Sequence, residues 1–125
     1  MESSSKMDHI TLLIKDAALT SSISHKILAK DIDSNCSKAE SQRNETVVAA
    51  YINKAISLMS AAKAIYVSSI ETLERQELED IFNKFDAFNS EFLNNFADKH
   101  SHQWTCIHYC KFRDAVEELF GKFGL

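Results

Sequence analysis

The near absence of glycine and proline constrains the fold of this chain more than any other feature. The 125 residues include no proline and only two glycines, Gly121 and Gly124, close to the end of the chain. Sheet-based folds need these residues at tight turns, and phosphate-binding loops need glycine where the backbone approaches the ligand. Helices with polar connections need neither. The sequence therefore predicts an all-α protein and excludes glycine-rich nucleotide-binding loops.

The composition is that of a globular protein with a single core. Hydrophobic residues make up 45% of the chain and charged residues 26%, and eight phenylalanines argue against disorder. A chain of this length can bury one core but not two. We predict a disordered polar leader over residues 1–6 and a single helical-bundle domain over residues 7–125. The expected architecture is an antiparallel bundle of about four helices with a long central second helix.

The first two helices are separated by a polar linker over residues 31–37. We expect the first helix from about Met7 to Lys30, and the pattern Ser37-x-x-Glu40 matches a capping box at the start of the second. The second helix has an inner stripe of apolar residues spaced four and three apart: Val48, Ile52, Ala55, Met59, Ala62 and Tyr66. A further stripe lies beside it: Val47, Tyr51, Leu58 and Ile65. A helix that is apolar on most sides is usually buried on most sides, which predicts its central place.

The third and fourth helices carry the aromatic residues. A second capping-box pattern, Ser68-x-x-Glu71, predicts the turn into a helix from about Leu73 to Asp98. Its apolar face is Leu78, Ile81, Phe85, Phe88 and Phe92, with Phe82, Leu93 and Phe96 beside it. A connection over residues 99–103 leads to the fourth helix, which Gly121 terminates. Large rings can interdigitate with small side chains, so we expect both Phe faces to pack onto the alanine-rich second helix.

Charge and cysteine content indicate the cellular setting. The formal net charge is −4 and the basic residues are scattered, which disfavours a nucleic-acid partner. No apolar run approaches the ~20 residues of a membrane-spanning helix. Three cysteines without a preceding signal peptide predict free thiols in a reducing compartment. The expected localisation is cytoplasmic.

The segment from His100 to Cys110 is the densest cluster of reactive side chains. Imidazole and thiolate are zinc ligands, and pairs four residues apart on a helix can meet one ion. His102 and Cys110 would lie about 12 Å apart along the helix axis, so further ligands would have to come from elsewhere, such as His9, His25 or Cys36. The candidate metal ligands are His102, Cys106, His108 and Cys110. The alternative is that Cys106 is a small core residue and the histidines are polar residues of a loop and helix start.

One short motif resembles a known family. The spacing His108-x-x-Lys111 is similar to that of histidine phosphotransfer domains, which are four-helix bundles of about this length. The resemblance implies a phosphate-accepting His108 with Lys111 nearby. That family usually has glycine directly after the lysine, where this chain has Phe112.

The functional expectation depends on the missing motifs and on the excess of large apolar residues. The Phe stripe of the third helix could be core, a groove for a partner or a dimer seam. The candidate partner-binding residues are Phe82, Phe88 and Phe96. The sequence favours a small non-enzymatic helical protein that binds another protein or itself, as regulators, inhibitors, immunity proteins and adaptors do, and that needs no cofactor. The alternative is a metal- or cofactor-binding bundle that uses residues 100–110.

Overall fold

Four helices make up the part of the chain that the structure describes. A computed structural model describes residues 2–33, 37–69, 75–98 and 102–121, with side chains over residues 6–30, 37–69, 75–94 and 105–121. The helices are α1 (Glu2–Asp33), α2 (Lys38–Ser68), α3 (Gln76–Asp98) and α4 (His102–Phe120). No strand occurs within these ranges. The predicted all-α bundle with a long second helix is confirmed.

Side-chain contacts show that neighbouring helices run antiparallel. Phe85 of α3 packs against Phe112 of α4, with ring centroids 5.2 Å apart, and Phe88 packs against Tyr109 at 5.6 Å. From Phe85 to Phe88 the position on α3 moves towards the end of the helix, while the partner on α4 moves from Phe112 back to Tyr109, towards its start. Tyr66, near the end of α2, lies 5.7 Å from the ring of Phe82, near the start of α3. Helices α3 and α4 therefore run antiparallel, and the end of α2 lies beside the start of α3.

Local capping interactions explain some helix ends and correct others. Ser37 Oγ accepts the backbone N–H of Glu40 at 3.2 Å, which confirms the predicted start of α2. Gly121 ends α4 with a φ of 84°, and its N–H donates to the Glu117 carbonyl at 2.8 Å. The predicted cap at Ser68 is wrong, because its hydroxyl donates to the Ile65 carbonyl of α2 itself. Accordingly α3 begins at Gln76.

The first helix is longer than its pattern predicts. It begins at Glu2 and ends at Asp33, so it includes residues assigned to the leader and to the linker. Polar residues such as Ser and Lys are compatible with helix, and no glycine or proline interrupts this part of the chain. Apolar periodicity reports which turns are buried, not where the helix ends.

The core combines residues from all four helices, but the contacts between helices are uneven. The most extensive backbone contacts are between α1 and α2, followed by α3 with α4 and α1 with α4. The expected packing of both Phe faces onto α2 is only partly correct: Phe82 contacts Tyr66 of α2, whereas Phe85 and Phe88 pack on Phe112 of α4. Helix α2 buries its inner stripe only, rather than most of its sides.

Candidate functional site

The described members of the predicted metal cluster do not form a metal site. Cys106, His108 and Cys110 are all half-buried on α4, whereas the side chain of His102 lies outside the described residues. Within the described ranges, no group of three or more His, Cys, Asp or Glu residues could hold a metal ion. The resemblance to phosphotransfer domains gains no support either, because Phe112 is completely buried in the core.

One member of the cluster meets a histidine from another helix. His25 Nε2 of α1 lies 3.3 Å from Cys106 Sγ of α4, within hydrogen-bonding distance for sulfur. Both side chains are half-buried, so the pair sits at the edge of the α1–α4 contact rather than in the deep core. An imidazole in contact with a thiol can accept its proton and activate the sulfur as a nucleophile. From the sequence, His25 was one of several possible distant metal ligands, and its contact with Cys106 was not predicted.

Tyr109 holds the imidazole of His25 in place. The two rings stack with centroids 4.4 Å apart and an interplanar angle of 12°. Tyr109 is buried, and its phenol is hydrogen-bonded to Ser22 of α1. Burial raises the pKa of Tyr109, an effect that outweighs the opposite influence of Ser22 and of the Arg113 guanidinium. The phenol therefore stays neutral at physiological pH and forms a fixed wall for the imidazole.

Two of the three predicted partner-binding rings lie inside the protein. Phe82 is 5% exposed and Phe88 is completely buried, while the side chain of Phe96 lies outside the described residues. The Phe88 ring packs against four others: Phe85, Phe92, Tyr109 and Phe112. In this structure Phe82 and Phe88 are core residues, and only a small part of the Phe82 ring is accessible.

A partly open apolar surface lies on α2, although Leu58 and Ile65 within it also pack against the core. We define its outer stripe as Val47, Tyr51, Leu58, Ala61 and Ile65. Val47 is 41% exposed and Ala61 is exposed, while the other three side chains are half-buried. All six residues of the inner stripe are buried. Sequence periodicity found both stripes but could not tell which of them the bundle covers.

A groove between α2 and α3 has a volume of about 160 Å³. Phe82, Phe85 and Met59 line its buried side, and Lys63 and Asp86 are at its exposed edge. Ligand pockets for organic molecules typically measure roughly 300–1,000 Å³. The groove is therefore too small to be the main binding site.

Comparison with protein-family models, with curated proteins and with solved structures found no significant match to this chain. A search of the described helices found none long and apolar enough to cross a membrane.

Proposed function

We propose that this chain is a non-enzymatic helical module that binds a helix of another protein, or of a second copy, along the outer stripe of α2. The observation that supports this proposal is the partial exposure of that stripe at heptad spacing. Tyr51, Leu58 and Ile65 are seven residues apart; Val47 precedes Tyr51 by four residues and Ala61 follows Leu58 by three, in the alternating four-three pattern. This is the pattern with which one helix receives another.

The length and shape of the stripe suit a helical partner. From Val47 to Ile65 it extends for about 27 Å at the helical rise of 1.5 Å per residue. Tyr51, Leu58 and Ile65 are large and half-buried, and the exposed parts of their side chains remain for contact although Leu58 and Ile65 also pack against the core. Ala61 leaves space for a side chain of the partner. Apolar side chains aligned over this length supply the hydrophobic contact on which helix-in-groove binding depends.

A lysine in the stripe suggests one property of the partner. Lys54 is exposed and occupies the heptad position midway between Val47 and Ala61. A polar residue within such a seam specifies register, because it is satisfied only where the partner offers a matching group. We expect the partner helix to place Asp or Glu opposite Lys54.

Two double variants of identical composition test the proposed surface. Val47→Lys with Ala61→Lys puts two charges on the outer stripe. Val67→Lys with Ala64→Lys puts the same charges at exposed positions outside it, with Val67 roughly 160° and Ala64 roughly 100° from Val47 at 3.6 residues per turn. Both variants should keep the wild-type helicity, since all four positions are exposed.

Association is then measured by sedimentation equilibrium of the pure proteins and by capture of cellular proteins on each variant. We expect the stripe variant to lose the self-association or the captured protein of the wild type, and the control variant to retain it. Equal binding by the two variants would contradict the proposal. Native mass spectrometry of the same samples addresses the alternative, because one zinc ion per chain would favour a metal-binding bundle.

A further inference from the structure

We infer that Cys106 is an oxidation site, at which a thiol activated by His25 reacts with hydrogen peroxide or a related hydroperoxide. This inference is independent of the proposed partner surface. It depends on the 3.3 Å contact between His25 Nε2 and Cys106 Sγ and on the partial exposure of both side chains. A nucleophile within hydrogen-bonding distance of a base is the arrangement that thiol chemistry requires.

The reaction needs no group beyond this pair and the peroxide. His25 Nε2, in its unprotonated form, takes the thiol proton, and the sulfur attacks one peroxide oxygen. An S–O bond forms as the O–O bond breaks, so sulfur loses two electrons and the peroxide gains them. The leaving hydroxide takes the proton back from the imidazolium and departs as water. The product is the sulfenic acid of Cys106 and a neutral His25.

The surroundings of the pair keep its geometry. The His25 ring cannot turn away freely because it stacks on Tyr109, which is itself packed against Phe88 with ring centroids 5.6 Å apart. The pair also bridges α1 and α4. An oxygen atom added to Cys106 Sγ would therefore lie beside the contact between α1 and α4.

Cys110 provides an internal comparison. It lies one turn further along α4 and is also half-buried, but the structure gives it no hydrogen bond to any described imidazole. Side chains four residues apart on a helix have Cβ atoms roughly 5–6 Å apart, whereas a disulfide needs about 3.5–4.5 Å. The sulfenic acid of Cys106 is thus not expected to be converted into a disulfide with Cys110 in the folded protein.

The test compares two proteins that each have a single cysteine. Cys36→Ser with Cys110→Ser leaves Cys106, and Cys36→Ser with Cys106→Ser leaves Cys110. Each protein is treated with hydrogen peroxide and dimedone at pH 7, and the sulfenic acid adduct is followed by intact-protein mass spectrometry. An ordinary thiol is only a few per cent ionised at this pH, and the gain from ionisation is partly offset by lower nucleophilicity. We expect Cys106 to react about threefold to tenfold faster than Cys110.

A substitution of the base separates chemistry from packing. His25→Phe in the protein with Cys106 alone keeps a ring to stack on Tyr109 but removes the nitrogen. The rate should fall to that of Cys110 while the melting temperature stays near that of the parent. His25→Gln serves the same purpose if the phenylalanine variant does not fold. Equal rates at the two cysteines, or a rate at Cys106 that does not respond to loss of the imidazole, would overturn the inference.

Discussion

The two helical hairpins of this bundle are held together by different kinds of side chain. In the first hairpin, α1 and α2 make the most extensive backbone contacts, and small residues such as Ala17, Ser24 and Ala55 are completely buried. In the second, α3 and α4 are joined by rings such as Phe88 and Phe112. Small side chains let helix backbones approach closely, whereas rings fill a wider space between them.

The difference shows what composition can predict. It indicates whether a helix packs through small side chains or through rings, but not which helix it packs against. Alanines on α2 and rings on α3 and α4 would interdigitate if they met, but in this fold each type mostly packs within its own hairpin. The two hairpins then meet mainly through α1 and α4, where His25 and Tyr109 stack. Each hairpin should respond to a different class of substitution.

The largest effect should come from removing a ring from the second hairpin. Phe88→Ala deletes a completely buried side chain that contacts four other rings, and the cavity should cost about 3–5 kcal/mol of unfolding free energy. Leu93→Ala, at a position 50% exposed on the same helix, should cost less than about 1 kcal/mol. Urea denaturation followed by circular dichroism measures both. A similar small loss for the two variants would show that the ring cluster is not tightly packed.

The first hairpin should be sensitive to enlargement rather than truncation. Ala55→Leu adds three carbon atoms at a completely buried position of α2 and should destabilise the protein by about 1–3 kcal/mol. Ala64→Leu makes the same change at an exposed position of α2 and should alter stability by less than about 0.5 kcal/mol. Thermal melts of the two proteins provide the comparison. Equal melting temperatures would mean that α1 and α2 are less closely packed than the structure indicates.

Two buried serines on α1 should respond in opposite directions. Ser24 Oγ donates to the Val48 carbonyl of α2 at 3.0 Å, so Ser24→Ala should cost about 1 kcal/mol. Ser21 Oγ is equally buried and has no hydrogen-bond partner among the described residues. Ser21→Ala should therefore be neutral or stabilising by up to about 1 kcal/mol. Chemical denaturation measures the free energy of unfolding of both variants. A larger loss for Ser21→Ala than for Ser24→Ala would contradict this prediction.

The sequence predicted those features that depend on neighbours along the chain. The cap at Ser37 and the end of α4 at Gly121 are local, and both are confirmed. The inner stripe of α2 was also predicted, because a helical period puts its members on one face whatever packs against them. The cap at Ser68 failed because the same short pattern is compatible with a continuing helix, in which the serine hydroxyl bonds to a preceding carbonyl.

Features that depend on which helices meet could not be predicted in the same way. His25 and Cys106 are 81 residues apart, and no local pattern indicates that α1 and α4 place them in contact. Likewise, the outer stripe of α2 looks like core in the sequence. Its partial exposure follows from the arrangement of the other helices, which periodicity does not report.

The outer stripe of α2 as a partner surface can be tested most directly by site-specific photocross-linking in cells. Replacement of Val47 with p-benzoylphenylalanine puts the reactive group on the stripe, and replacement of Val67 puts it on the opposite side of the same helix. Both positions are exposed. We predict adducts from position 47, to a helix with apolar residues at heptad spacing, and none to that partner from position 67. Adducts to the same partner from position 67 alone, or equally from both positions, would contradict the proposed surface.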